Sequence, residues 1–238
     1  MNVSVALAAK DGALFLSAQV ESILLQLDEA RGDELIISTD PSADATKEIA
    51  AGFAQKHPHV KHISGPGKGA QANFEYALNA CTGSHIFLSD QDDIWMPDKV
   101  EQVRKAFEAS GAALIVHDAR IVDEQLQLLS PSYFALRKSG PGTLKNIYKN
   151  SYMGCCMAVE AQVLDAALPF PPHIPMHDQW LGLVAQRHLA VHFLPMQLVQ
   201  YRRHDNTVTS GTHATIGQMI EWRYNLMKAL KKQSKALK

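Results

Sequence analysis

Three carboxylates within four residues, Asp90-Gln91-Asp92-Asp93, follow one serine after the apolar run His85-Ile86-Phe87-Leu88. That run has the length and aromatic content of a buried strand, so the carboxylates fall at a strand end. Alternate side chains of an extended chain share a side, which lets Asp90 and Asp92 converge while Gln91 points away. Hard oxygen ligands placed this way suit Mg2+ or Mn2+, ions that keep waters and bind a substrate's phosphates. A bare DxD is more often a solvated acidic turn, since short motifs match by chance. Ile94-Trp95-Met96-Pro97 closes the cluster with apolar bulk, and Pro97 fits the first turn of a following helix. Two later segments also carry chemistry. Asp178 stands near the start of an apolar helix, where a carboxylate also favours the helix dipole. Arg202 and Arg203 directly precede His204, and a guanidinium fork suits phosphate oxygens. His173 and His177 lack the helix-face H-x-x-x-H spacing of a metal hydrolase, and Gly65, Gly67 and Gly69 lack the G-x-G-x-x-G spacing of a dinucleotide loop.

The elements that must position these residues follow from apolar periodicity. Residues 3–7, 34–38, 60–63 and 85–88 read as short buried strands. Between them, residues 14–27, 44–56 and 70–80 repeat apolar side chains at helical spacing, and Ser42 or Asp44 can cap the second helix. Alternating strands and helices predict an α/β fold with a mostly parallel sheet flanked by helices on both faces. Right-handed crossovers place the loops after the strands on one edge, where ligands of such sheets bind. Lys10, Asp11, Asp40 and Asp90 to Asp93 therefore share a rim. Beyond it, residues 99–110 read as a helix and 112–117 as a strand; residues 123–142 read as a polar excursion and 153–160 as a return to the sheet. The proline-dense stretch 168–175 is neither central strand nor helix interior. Residues 191–194 read as a strand followed by a separate segment 199–204. A last helix carries Ile216, Met219, Ile220, Tyr224, Met227 and Leu230 on one side.

The totals exclude several classes. The chain has 238 residues, is 46% hydrophobic, and carries a formal net charge of -1. That is enough apolar content for a substantial core and too little basic excess for general nucleic-acid binding. No apolar run approaches a membrane span, and the first residues read as a strand, without the regions of a signal peptide. Three cysteines, two of them adjacent at Cys155 and Cys156, make no disulfide framework, which points to a reducing cytosol.

Taken in order, AxxxG after the first strand, TDPSxDAT after the second, GPGKGAQANF, SDQDDIW, MHDQWL and YRRHDNTVTSG resemble family 2 glycosyltransferases with the GT-A fold. The resemblance runs from about residue 3 to residue 211. SDQDDIWMPDKV together with the HDQW and YRRHDNTVTSG segments is most similar to bacterial rhamnosyltransferases of surface-polysaccharide synthesis. The resemblance implies an inverting, metal-dependent transfer from a nucleotide-sugar, dTDP-rhamnose for preference and otherwise a UDP-sugar, to a saccharide or lipid-linked oligosaccharide acceptor. It also implies residue roles. Asp178 matches the catalytic base. Asp90, Gln91 and Asp92 match the DxD, with Asp92 the direct ligand of Mg2+ or Mn2+, Asp90 beside it, and His204 close to the metal and diphosphate. Asp40 matches the residue that meets the nucleotide base; Lys68 and Asn73 fall in a segment approaching the donor, and Ala8, Lys10 and Asp11 in the loop lining base and ribose. Apart from the resemblance, Arg202 or Arg203 is the cation expected to pair with the phosphates, because a guanidinium fork suits their oxygens. The first loop reads AAKDG where TYNG is usual, so an aromatic wall and an asparagine are missing there.

Residues 1–212 are thus expected to form the catalytic domain, with a nucleotide-sugar-binding half to residue 99 and an acceptor half from residue 100. Residues 213–238 are expected to form a basic amphipathic helix able to rest on the inner face of the cytoplasmic membrane. Two other classes compete. A non-catalytic nucleotide-sugar-binding module would not be expected to keep both Asp92 and Asp178, and an aspartyl-phosphate hydrolase places its DxD after the first strand rather than the fourth.

Overall fold

The structure, a computed structural model, describes residues 1–204 and 215–233. In chain order the elements are β1 (Val3–Ala9), α1 (Leu16–Leu24), β2 (Glu34–Thr39), α2 (Thr46–Lys56), β3 (Val60–Ser64), α3 (Ala70–Asn79), β4 (His85–Ser89), β5 (Ile94–Trp95) and α4 (Lys99–Ser110). There follow β6 (Leu114–Val122), β7 (Leu128–Ser130), α5 (Tyr133–Arg137), α6 (Thr143–Tyr148), β8 (Met157–Glu160), α7 (Ala161–Ala167), α8 (His177–His188), β9 (Val191–Arg202) and α9 (Ile216–Lys232).

The strands make one sheet in the order β3-β2-β1-β4-β8-β6-β9-β5, with β7 on the side of β6. The first four are parallel. β8 runs antiparallel to both β4 and β6, so the parallel run of the first half is joined to the second half through a reversed strand. Side-chain alternation sorts the core into two layers. Val3, Val5, Leu7, Leu35, Ile37 and Phe87 meet α1, α2 and α4 on one face. Ala6, Ile36, Ile86 and Leu88 meet α3, α7, α8 and α9 on the other. The fold is the GT-A arrangement of a sheet between helices. Pairing of Ala9 with Thr39, Thr39 with Ser64, and Leu7 with Ser89 brings the loops after four strands to one edge.

Three expectations change. Residues 191–194 and 199–204 are not separate: β9 is continuous, and the register along β6 jumps from His117–Leu194 to Asp118–Gln197. The jump skips Pro195, which has no N–H to give a ladder and is therefore tolerated at a bulge. The excursion at 123–142 contains β7 and α5. Asp118 anchors it by accepting from the Phe134 N–H (2.8 Å), the Ser132 hydroxyl (2.6 Å) and the Gln197 amide (3.0 Å). On α9, Leu226 and Leu230 are buried while Ile220, Tyr224 and Met227 stay exposed. Among the described side chains, the flank at Leu226 and Leu230 is the one that meets neighbours, chiefly α6 and α8. The YRRHDNTVTSG segment beyond His204, including Gly211, lies outside the described residues, as do Lys235 and Lys238.

Candidate functional site

The loop after β1 is set by contacts from distant segments. Gln91 accepts from the Lys10 N–H (2.7 Å) and donates to the Lys10 carbonyl (2.8 Å), so its amide copies a strand partner. Gly12 lies so close that an added Cβ would sit 2.1 Å from Gln91 Oε1. Asp11, at φ 47°, accepts from the Ala43 N–H (2.7 Å), and Asp44 accepts from Ala13 (2.9 Å). The loops after β1 and β2 are thereby latched together. Asp44 also accepts from the Thr46 N–H (3.0 Å), which ties it to the start of α2. Asp40 is buried and accepts from the Gly67 N–H (2.9 Å). A Cβ on Gly65 would meet Asp40 Oδ1 at 2.5 Å and Asn73 Oδ1 at 2.4 Å. Asn73 is buried and stitches two strand ends. It donates to the carbonyls of Ser38 (3.1 Å) and Ala9 (3.3 Å) and accepts from the Ser38 hydroxyl (2.6 Å). Ala8 is half-buried, while Lys10 and Lys68 are exposed on the rim.

The acidic loop does not follow the simple alternation of an extended chain. It bends after Ser89, and ligand atoms of Asp90, Asp93 and Cys155 come within 4.8 Å of one another. Asp93 is fully buried and accepts from the Arg202 N–H (3.0 Å). Burial first, and then the Asp92 charge, push its carboxyl up to about 7. Asp90 is raised well above the usual carboxylate range by burial and by the charges of Asp93, Asp92 and Asp178, with Lys99 opposing. Asp92 pairs with His204 (2.8 Å). Beneath the loop Lys99 has no exposed surface. It donates to the Cys155 carbonyl (2.8 Å) and lies 3.9 Å over the Trp95 ring. Burial lowers its pKa to about 8, and the adjoining thiols and carboxylates work against that drop. Arg202 is buried too. Its Nε donates to the Asp92 carbonyl (2.7 Å), its Nη1 to the Glu124 carbonyl, and its plane covers Phe15 at 4.6 Å. Phe15 also lies 5.1 Å from the His204 ring.

Asp178 sits in the first turn of α8 and is buried. It accepts from the Gln179 N–H (2.5 Å), with the Asn150 amide at 3.5 Å. Burial raises its carboxyl to about 6, and hydrogen bonds from the Gln179 and Gly154 backbone and from Asn150 restrain the shift. Asn150 is fixed by both backbone groups of Tyr152, at 2.9 Å each. Gln179 donates to the Asn146 carbonyl of α6 (2.7 Å), which ties α6 to the first turn of α8. His177 is stacked on Phe74 at 4.3 Å, and burial lowers its pKa to about 4. Gln71 of α3 holds the segment before α8 through the carbonyls of Ile174 (3.1 Å) and Pro175 (2.9 Å). Trp95 and Trp180 are both buried, the latter donating to Ala167 (2.9 Å).

Asp90 thus gathers with Asp93 and Cys155 at the sheet edge, within reach of the Asp178 charge, and Asp92 pairs with His204, whereas the Asn73 and Gln91 amide nitrogens and the Arg202 Nε and Nη1 are given to backbone carbonyls. Three neighbours were not singled out from sequence for this site: Phe15, Lys99 and Asn150. Lys99 had a readable signal, since it shares a helical face with the buried Val103 and Ala106 at i+4 and i+7. Burial and neighbouring negative charge raise both Asp90 and Asp93, so the cluster is short of positive charge. The Asp90 and Asp93 oxygens, with the Cys155 sulfur beside them, lie close enough together to fit a divalent ion such as Mn2+ or Mg2+.

Residues 4–166 match the model of the family described as glycosyl transferase family 2. A UDP-Glc:α-D-GlcNAc-diphosphoundecaprenol β-1,3-glucosyltransferase of Escherichia coli is 22% identical over 211 residues, covering 88% of this chain and 80% of that one. The structure of S. aureus TarS 1-349 with UDP-GlcNAc superposes with a TM-score of 0.73 at 16% identity, over 98% of this chain and 66% of that one. The mannosyltransferase PcManGT of Pyrobaculum calidifontis, with GDP-Man and Mn2+, gives 0.69 at 15% identity, over 98% and 65%. This chain spans 38% of the length of another relative, an uncharacterised glycosyltransferase of Nostoc.

Proposed function

This chain belongs to glycosyl transferase family 2, and on that premise we propose that it moves a sugar from a nucleotide-sugar to a glycan acceptor in bacterial surface-polysaccharide synthesis. One observation carries the reading. A buried carboxylate whose pKa burial raises to about 6, Asp178, lies close enough to the acidic loop for its charge to raise Asp90. The reaction is a single displacement with inversion. Asp178 takes the proton of the acceptor hydroxyl as that oxygen attacks the anomeric carbon, and the nucleoside diphosphate leaves on the opposite side. A positioned base contributes about 10²–10⁴-fold. Asp92 and Asp90, with His204, would hold Mg2+ or Mn2+, which when bound supplies Lewis-acid stabilisation of the departing diphosphate. Asp40 faces the nucleotide base, Ala8 and Asp11 line the ribose, and Lys10 and Lys68 approach the donor from the rim. Asn73, Gln91 and Arg202 act through the backbone they hold. The reaction is cytoplasmic, with the basic side of α9 turned to the inner membrane face.

The donor has two readings. The SDQDDIWMPDKV segment points to dTDP-rhamnose; the name of the E. coli relative favours a UDP-hexose. Calorimetry with dTDP, UDP and GDP, each with and without Mn2+ or Mg2+, separates them. Metal-dependent binding led by dTDP supports rhamnose, and a lead for UDP replaces it. No nucleotide binding by folded protein would refute the transferase.

A further inference from the structure

The ring of Phe15 is shared by two side chains that come from the end of β9. The Arg202 guanidinium lies 4.6 Å from the ring centre, and the His204 imidazole lies 5.1 Å away at an interplanar angle of 34°. Arg202 is the last residue of β9. Alternate residues of an extended chain share a side, which lets residues 202 and 204 reach one ring. An electron-rich ring face attracts a guanidinium, and tilted aromatic rings attract each other through face and edge. A leucine of similar bulk offers neither.

Both partners of the ring hold Asp92, one by its backbone and one by its side chain. Arg202 Nε donates to the Asp92 carbonyl (2.7 Å), and His204 Nε2 meets the Asp92 carboxylate at 2.8 Å. The imidazole is 7% exposed and the carboxylate 15%, so the pair is largely shielded from water. Phe15 itself is firmly seated. Its N–H donates to the Gly12 carbonyl (3.0 Å), and the Gly12 N–H donates in turn to the Thr46 hydroxyl of α2 (2.8 Å). Gln91 pins the same loop from the acidic side through both backbone groups of Lys10. The loop after β1 is thus a fixed platform, and its aromatic ring bears on the chain leaving β9.

We infer that Phe15 is a positioning residue for the cation and diphosphate subsite, where its ring seats the His204 imidazole against Asp92. The inference rests on Asp92 and His204 serving at that subsite, and it adds the residue that sets their geometry. The physical reason is preorganisation. One hydrogen bond to a carboxylate oxygen leaves an imidazole free to swing about that oxygen. An aromatic ring packed 5.1 Å away removes the freedom before a ligand arrives, so less ordering is left for binding to supply. Arg202 completes the unit. Its guanidinium is given to the Asp92 and Glu124 carbonyls, so the ring it covers stays in register with the acidic loop.

The test is the affinity of Mn2+ for protein saturated with UDP or dTDP, whichever binds more tightly, with free ion read by electron paramagnetic resonance. Outer residues that orient a metal ligand are worth about 10–100-fold in metal affinity. Phe15→Leu is expected to weaken Mn2+ binding about tenfold, the lower end because the ring packs without a hydrogen bond. Phe15→Tyr keeps the wild-type affinity, and nucleotide affinity without metal is unchanged in both. His204→Gln weakens Mn2+ binding at least as much. Adding Phe15→Leu to it changes little further, because residues that act through one contact are not additive. Phe15→Met asks the same question should the leucine variant fail to fold. Unchanged Mn2+ affinity in the leucine or methionine variant overturns the inference, as do additive losses in the double variant. A packing contact alone has its own signature: the His204 ring protons, assigned through His204→Gln, shift in the NMR spectrum of Phe15→Leu while Mn2+ affinity holds, and that result also overturns it. If His204→Gln binds Mn2+ as the wild type does while nucleotide still binds, the positioning role falls and the transferase stands. No nucleotide binding by folded wild-type protein removes the transferase reading and this inference with it.

Discussion

Replacing Asp178 by Asn tests the base and the cost of holding it ready in the same protein. The side chain is 6% exposed, and burial lifts its carboxyl from 3.8 to about 6. The folded chain therefore holds this proton more tightly than the unfolded chain does. The sign follows: the group favours the fold below pH 4 and loses that advantage as pH rises through about 6. Above that, the buried carboxylate costs on the order of 3 kcal/mol, from roughly two pKa units at 1.36 kcal/mol each. Asn keeps an oxygen for the Gln179 N–H, cannot ionise, and cannot take a proton. Asp178→Asn is expected to raise the melting temperature at pH 8, with a gain that shrinks toward pH 5. Turnover should fall about 10²–10⁴-fold, with donor affinity nearly unchanged. In the wild-type enzyme kcat/KM should drop about tenfold between pH 7 and pH 5, as the ionised fraction falls from roughly nine-tenths to roughly one-tenth. The assay is thermal melting at several pH values together with initial rates of transfer. A variant that retains full activity, or a wild-type rate flat from pH 5 to 8, would refute the assignment.

Asp92→Ala should abolish the Mn2+-dependent part of nucleotide binding in calorimetry; an affinity unaltered in the presence and absence of Mn2+ speaks against the metal role. Lys99→Met removes the cation whose charge opposes the rise of the Asp90 and Asp93 carboxyls and leaves the buried Cys155 carbonyl without its donor, and should destabilise the fold by about 1–3 kcal/mol in urea. Added Mn2+ should restore part of that loss, and a variant as stable as wild type would show that Lys99 carries no counter-charge. Gly65→Ala puts a methyl 2.4–2.5 Å from Asn73 Oδ1 and Asp40 Oδ1. It should cost about 1–3 kcal/mol of stability and weaken nucleotide binding; intact binding would separate Asp40 from the nucleotide.

Much of the fold was legible because its signals are local. Strands β1 to β4 each show a short apolar run, the intervening helices show the 3.6 period, and chirality alone places their following loops on one rim. Asp40, Asp90 and Asp92 could be set on that rim before any coordinates, and Asp178 at a helix start, because each follows an element with a readable boundary.

The partners of those residues were not legible, since they come from far along the chain and obey no period. Gln91 is 81 residues from the Lys10 groups it copies, Asn73 is 64 from Ala9, and Arg202 is 109 from Asp93. An extended reading of the acidic loop paired Asp90 with Asp92, whereas the bend gathers Asp90 with Asp93 and Cys155 and leaves Asp92 to His204. The same limit holds at the surface. The apolar stripe of α9 was visible, but packing against α6 and α8 decided that Leu226 and Leu230 turn inward and Ile220 and Tyr224 outward. Periodicity states that a helix has an apolar side. The neighbours that tertiary folding brings up decide which part of that side is core, and burial among them sets which carboxylate keeps its proton.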